Sequence, residues 1–564
     1  MLKNNLKIFC YSTAVILMLS SCASTPLITT SYNVKELNLN QYSNSNNYHY
    51  LMAFIYFYNN NIKEGIKEYE LFLKDNPQKQ FYIEFVNLLI RFQDFSKAQE
   101  VLQAAIEKYP KDKQLYLLLS DIYVIQNQYK KAIEILIKSD IKTFDVYKNI
   151  ALLYAQMGDI NNAINYLMQA RQFSSKGEVY FYISQVYYKF GFDDNAFRYL
   201  QMSASNKYPK AYIALGDLYV KQNNYSNALK YYEDFLKLPN DNKEETVYVY
   251  TTLASIYYSI DKDLKKAIEY YKKAYELDKS QLNLERLSYL LLQNQNYKEV
   301  INLLSNNENI EHSSTLRYFL GVAYFSLKDF KQALLEFSNV DFASDLYTDA
   351  QAKKALCYLE TKEPQKAIET IQKVIETNPN EELYKTYFYI LNQQKDWDSL
   401  IIALKQSLKV VKDKEKIYFY LGDIYYDKKH DKQKAIHYLN EALRISPNDP
   451  EVLNYLGYLY IDENIDVQAG IEMVQKALKL QPNNPYYLDS LGWGYYKEKK
   501  FKLALYYLEK ANRLLKKPES TIALHLAKVY NVLGYKIKAK KIALEVLKND
   551  PQNRKAKQLL ETIK

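Results

Sequence analysis

Small residues interrupt an otherwise bulky chain of apolar and charged positions at a fixed spacing. One series runs Gly65, Ala98, Ala132, Ala163, Ala196, Ala228, Ala267, Val300, Ala333, Ala367, Leu400, Ala435, Gly470, Ala504 and Ala539, and thirteen of these fifteen anchors are Ala or Gly. The mean step is about 34 residues, a period that marks stacked copies of one supersecondary unit. A second small residue precedes many anchors by twelve or thirteen positions, as at Ala53, Ala151, Gly216, Gly321, Gly457 and Gly492. A third follows by seven, as at Ala105, Ala274 and Ala511. Two helices approach closely only where neither presents a bulky side chain at the crossing. The pattern therefore predicts helix pairs that touch at small residues, with the anchor on the second helix of each pair.

Proline and glycine fall into the same frame. Pro77, Pro110, Pro379, Pro447, Pro482 and Pro551 each lie twelve residues after an anchor, where the second helix should stop because proline cannot continue it. Pro450 and Pro485 suit the first turn of the next helix. Gly158, Gly191 and Gly534 precede their anchors by five residues, the place for a helix-ending glycine in the turn within a pair. Between Ala228 and Ala267 the step lengthens to 39 residues through "LPNDNKEET", which predicts an extra loop.

Segments such as "YLGDIYYDKKHDKQKAIHYLNEALRISPNDP" (420 to 450) and "YLGYLYIDENIDVQAGIEMVQKALKLQPNNP" (455 to 485) resemble the tetratricopeptide repeat family. The resemblance covers roughly residues 46 to 551, about fifteen repeats, with a degenerate part at 46–413 and well-formed repeats at 414–551. Val300 and Leu400 replace the small anchor, so looser packing is expected in those two units. The family implies an all-α, right-handed superhelical solenoid whose first helices line a groove that binds peptides or protein surfaces, with no chemistry of its own. Residues 552–564 are expected to form a capping helix with Leu559, Leu560 and Ile563 on one face.

Groove candidates flank Gly457 and Gly492: Tyr455, Tyr458, Asp489, Trp493, Tyr496 and Lys497. Aromatic rings bury much area at low entropic cost, and the two charges would fix the register of an extended segment. Packing of Trp493 against the neighbouring repeat is the open alternative. The family's carboxylate-clamp pattern of lysines and asparagines is not evident, so capture of a chaperone C-terminus is not expected. The 59 tyrosines accompany enrichment in Asn, Lys and Ile, as in an AT-rich coding sequence. Of Tyr187–Tyr188, Tyr425–Tyr426 and Tyr495–Tyr496, one ring of each pair should enter the core and the other face the groove, since neighbours on a helix diverge by about 100°.

The first residues carry an independent signal. "MLKNNLK" brings two lysines, "IFCYSTAVILML" a short apolar run, and "LSSCAS" follows. The run is too short to span a bilayer and suits a signal-peptide core. Leu19, Ser20, Ser21 and Cys22 resemble the bacterial lipobox. That resemblance implies cleavage between Ser21 and Cys22, a diacylglyceryl group on the Cys22 thiol and an acylated amino terminus, and several chains anchor stably where one does not. Residues 1–21 are then a lipoprotein signal peptide and 22–45 the lipidated cysteine and a flexible tether rich in Ser, Thr and Asn. Ala23 is not the aspartate that retains many Gram-negative lipoproteins at the inner membrane, so an outer-membrane lipoprotein facing the periplasm is expected. In an organism with a single membrane, the same anchor would display the repeats outside the cell.

No catalytic constellation is present: there is no GxGxxG, P-loop, HExxH or paired CxxC. The five histidines are scattered without a shared-face ligand spacing, so no catalytic residue, metal or cofactor is expected. Cys357 reads as a small buried apolar residue. Net charge is +10, and Lys alternates with Glu as in "KKAIEYYKKAYELDK" (265 to 279), which reads as solvated faces and not a nucleic-acid track. A weak attraction to anionic cell-wall polymer is compatible with that charge. The expected function is a lipid-anchored scaffold for envelope proteins or peptides. Its rivals are a structural spacer between membrane and wall and, more distantly, an enzyme.

Overall fold

The structure, a computed structural model, describes residues 48–515, 517 and 519–563; Ser21, Cys22 and the expected tether lie outside them. Thirty-one α-helices follow one another, with a 3₁₀ turn at Glu308–His312 and a π turn at Ile424–Lys428, and there is no strand among the described residues. They divide into two compact units, one ending at Asn240 and one beginning at Asp241. Within each, helices pair antiparallel and successive pairs stack, so the fold is a solenoid of helix pairs.

Every anchor lies buried on the second helix of its pair. Val300 and Leu400 are fully buried as well, although the helix that carries Val300, Tyr297–Leu304, is only eight residues long. The small residue on the first helix receives the side chain four positions after the anchor. A Cβ added at Gly216, Gly321 or Gly492 would lie 2.5 to 2.6 Å from Tyr232, Phe337 or Leu508. At one crossing nothing separates the backbones. A Cβ on Gly457 would lie 2.8 Å from the Gly470 carbonyl oxygen, and one on Gly470 would lie 2.6 Å from that of Gly457.

The prolines mark the second-helix ends: the helices stop at Asp75, Lys108, Thr377, Ile445, Leu480 and Asn549, two residues before each. Of the expected loop "LPNDNKEET", only the first part is irregular. Asn242 caps a helix that starts at Lys243, its side chain accepting from the Glu245 N–H at 3.2 Å, and Glu244 and Glu245 then sit in a first turn that favours negative charge.

The turn inside each pair has one construction. A residue with positive φ ends the first helix in all fifteen units: Gly158, Gly191 and Gly534 as expected, and elsewhere a non-glycine such as Asn60, Gln93, Lys328, Lys362, His430 or Asn464. In fourteen units the next residue is the N-cap of the second helix, and after Asn464 one residue, Ile465, intervenes before the N-cap Asp466. In eight units its Asp or Asn side chain, among them Asp94, Asp159, Asp329, Asp396 and Asp431, accepts from the N–H three residues on. The same residue's N–H reaches back to the first helix, as from Asp329 to the Tyr324 carbonyl at 2.9 Å. One short turn thus closes the first helix in a Schellman-type arrangement and opens the second.

Six tyrosine pairs stack across the two helices of their own repeat: Tyr154–Tyr166, Tyr187–Tyr199, Tyr219–Tyr231, Tyr257–Tyr270, Tyr425–Tyr438 and Tyr495–Tyr507, with centroids 5.4 to 5.7 Å apart and planes within 24°. Offset stacking of this kind adds to the area the rings bury. Lysines lie over several of them, as Lys266 does over Tyr257 at 4.6 Å. The adjacent tyrosine points elsewhere: Tyr188 is exposed, while Tyr426 donates to Glu463 of the next repeat at 3.2 Å. Cys357 is fully buried and unpaired, and burial pushes its thiol up to about 12, far from a nucleophile's range.

The left-handed turn residue generates the first prediction. Exposed Lys328, at φ 63°, holds a conformation that costs an L side chain about 1 kcal/mol and glycine little. Lys328→Gly should raise the urea midpoint by roughly that free energy with an unchanged slope; a lowered midpoint would contradict this account of the turn.

Candidate functional site

The six groove candidates lie on two consecutive first helices, Pro450–Asp462 and Pro485–Lys497. Proline opens each, behind Asp449 and Asn484 caps that accept N–H groups of the first turn. Both helices carry a glycine crossing at mid-length, so they bury one face against their second helices and leave the other to neighbouring first helices.

Tyr455 points toward the preceding repeat. Its hydroxyl donates to Asp423 at 2.6 Å, and its ring packs edge-on against Phe419. Burial and the Asp423 carboxylate raise the phenol well above its ordinary range. The other five approach one another. Trp493 lies between two parallel rings, with Tyr496 at 4.7 Å and His525 of the following first helix, Ser520–Val532, at 4.1 Å. The indole N–H donates to the Asp462 carboxylate at 2.9 Å, and Lys497 donates to the Asp462 backbone carbonyl at 2.8 Å. Lys497 and Lys528 stand over the indole at 5.3 and 4.8 Å, within cation–π range. Tyr458 approaches His525 at 6.5 Å, and burial, with Asp462 and Asp489 nearby, pushes its phenol up.

Asp489 and His525 form the innermost contact. Each is only 5 % exposed, and the histidine Nδ1 lies 3.0 and 3.1 Å from the two carboxylate oxygens. The carboxylate can only accept, so Nδ1 carries the proton. Asp489 is thus buried and directed at the neighbouring repeat. Trp493 is also 5 % exposed and packs on that repeat, although its edge still reaches an open cavity.

That cavity, about 490 Å³, is lined by Trp493, His525, Asp462, Lys528, Arg554 and Lys555, with Ser520, Asn553 and Asp550 also in its wall. Lys528 is half-buried, and its ammonium is held below its ordinary value by burial and then by Lys555 and Lys497, against the opposing pull of Asp462. Among the described residues no group of three or more His, Cys, Asp or Glu is arranged to hold a metal ion.

Sequence reasoning missed His525, Asp462 and the three cations. Two signals held them. Asp423, Tyr458, Trp493 and Lys528 are 35 residues apart in succession, as are Tyr420, Tyr455, Ser490 and His525. Each set occupies one position on successive first helices. The second signal is charge by segment: residues 499–564 hold 17 Lys and Arg against 5 Asp and Glu, a net +12, so with +10 for the whole chain the first 498 residues sum to −2.

Comparisons with known proteins place the helix pairs. Models described as tetratricopeptide repeat match residues 89–157, 144–171, 213–281 and 339–542. One described as anaphase-promoting complex, cyclosome, subunit 3, matches residues 260–340. A BBSome complex member BBS4 homolog of Drosophila melanogaster is 20% identical over 56% of this chain and 68% of its own length. A TPR repeat-containing protein of Methanocaldococcus jannaschii is 23% identical over 50% of this chain, which spans about half (48%) of that protein. Among solved structures, an APC/C hetero-tetramer Cut9–Hcn1 is similar at 17% identity and TM-score 0.32, covering 86% of this chain and 96% of that one. Naa15/Naa10 bound to HypK is similar at 17% identity and TM-score 0.33, covering 92% and 89%.

The contact between Asp489 and His525 carries a prediction. Asp489→Ala leaves a buried histidine without its partner, which costs about 1 to 3 kcal/mol. Because repeats couple only to their neighbours, the loss should appear in hydrogen exchange of residues 485–532 and in Trp493 fluorescence in a Trp397→Phe background. Unchanged exchange there would show that the pair does not join the two repeats.

Proposed function

The chain belongs to the tetratricopeptide repeat family, and we propose that it is a lipid-anchored scaffold of the cell envelope that holds protein or peptide partners along its first helices. The observation that carries the binding half is the column of aromatic and charged side chains on three successive first helices, from Tyr458 through Trp493 to Lys528, beside an open cavity of about 490 Å³. Fixed rings bordered by charges are the ingredients of a protein-binding hot spot. The Drosophila relative is named as a member of a complex, and assembly with other proteins is the role proposed here.

The anchoring half rests on the sequence "LSSC" at the end of a signal-length apolar run, with Ala23 next, which supports a reading in which the scaffold sits on the outer membrane and faces the periplasm. Attachment in this reading falls to acyl chains on Cys22; among the described residues no helix is long and apolar enough to cross a membrane. Cys22→Ala should release the protein from the membrane fraction or leave it unprocessed, read by fractionation and intact mass. Unchanged mass and unchanged sedimentation would refute the anchor.

A photo-crosslinking residue tests the binding half. Placed at Tyr458, it should capture a discrete protein in intact envelopes, whereas the same residue at exposed Leu544 on a second helix should not. Capture at Leu544 alone would put the partner on the second helices instead.

A further inference from the structure

The cavity beside Trp493 is lined by three cations, Lys528, Arg554 and Lys555, and two carboxylates, Asp462 and Asp550, which leaves a net charge of +1. Among the described residues, no carboxylate lies within ion-pair distance of Lys528, Arg554 or Lys555. The acidic groups nearby are held in place by neutral donors and keep their charge, but none pairs directly with these cations. Asp462 accepts from the Trp493 indole. Asp550 accepts from the Gln552 N–H at 3.1 Å and the Asn553 side chain at 3.2 Å, and Glu519 caps the Ile522 N–H at 2.7 Å. The surroundings reinforce the excess, with a net +12 over residues 499–564.

We propose that this cavity is a docking site for an acidic segment of a partner protein, whose Asp or Glu carboxylate enters between Lys528, Arg554 and Lys555 with the Trp493 edge as its apolar wall. The proposal rests on the protein-binding reading above and adds the chemistry of the partner. Shape favours a peptide over a membrane or a nucleic-acid backbone. The three cations line one concavity of about 490 Å³, and Lys528 is half-buried there. A lipid surface or a phosphate backbone would instead meet the exposed lysines of the second helices, such as Lys540 and Lys541. The chain's own residues 23–47 are not an acidic segment, since their one lysine and one glutamate sum to zero. Electrostatics point the same way, because a bound carboxylate relieves the mutual repulsion of Lys528, Lys555 and Lys497.

The test uses the full chain and a fluorescein-labelled peptide of alternating Glu and Gly, with the Gln counterpart as control, read by anisotropy. The acidic peptide should bind and the Gln peptide should not, and binding should weaken as salt is raised. Arg554→Gln with Lys555→Gln should weaken it by about tenfold. Lys540→Gln with Lys541→Gln, which removes the same charge elsewhere, should change it by less than about twofold. Lys528→Gln is the second variant, with circular dichroism confirming its fold. Equal losses from both double variants would reduce the effect to diffuse charge and overturn the site. So would absence of peptide binding, or binding of phosphatidylglycerol vesicles or a single-stranded oligonucleotide that depends on Arg554 and Lys555 while the peptide fails. Any of these outcomes alongside persistent crosslinking from Tyr458 would reject the acidic partner and leave the scaffold reading intact; loss of that crosslink would reject the scaffold reading itself.

Discussion

The structure depends on how closely the two helices of a pair approach. At Gly457 and Gly470 each backbone occupies the space a Cβ would need on the other, and at Gly216, Gly321 and Gly492 a large side chain from the second helix fills the space the glycine leaves. Inserting a methyl group into such a crossing costs about 1 to 3 kcal/mol because the packed neighbours cannot all move. The 35-residue steps between Asp423, Tyr458, Trp493 and Lys528 follow from this constraint. Once each crossing is fixed, the remaining faces of the first helices fall into columns, and a residue's partner in the next repeat is set by counting.

The turn within the pair is the second fixed element, and it explains why the spacing between the two small residues of a pair stays at twelve or thirteen. In fourteen of the fifteen units one left-handed residue is followed directly by an N-cap whose N–H also closes the previous helix, which leaves little slack. Where an extra residue does enter, it is absorbed inside the first helix, as by the π turn at Ile424–Lys428, or in the turn itself, as by Ile465 between Asn464 and the N-cap Asp466. Such single-turn irregularities accommodate an insertion without breaking the helix.

How much of this was legible in the sequence depends on which residues could signal it. The crossings could be read because only Ala and Gly satisfy them, and the second-helix ends because proline sits there. The left-handed turns could be read at Gly158, Gly191 and Gly534 but not at Lys328, Gln93 or Lys362, whose side chains have no preference for positive φ. Conformation there is imposed by the two helices and carried at a local cost. The groove was legible as a set of residues and not as contacts. Tyr458, Trp493, Tyr496 and Lys497 do approach one another, whereas Tyr455 turns back to Asp423 and Asp489 turns inward to His525. A sequence gives the face of a helix, but the partner across the groove comes from the repeat 35 residues on.

Charge was the least legible feature, because a sum over the whole chain hides its distribution. The +10 of the complete sequence combines a nearly neutral first 498 residues with a strongly basic remainder. Even a segment sum would not have shown that three of those cations share one cavity, since Lys528 comes from the helix Ser520–Val532 while Arg554 and Lys555 open the helix Arg554–Thr562. What unites them is the stacking of consecutive elements at a set distance. The column that carries Tyr458 and Trp493 therefore changes character at Lys528, from rings that bury area to an ammonium held part-way out of water. Placing a lysine at that position makes the surface selective: an apolar partner would leave the charge desolvated without compensation, and an acidic one would not.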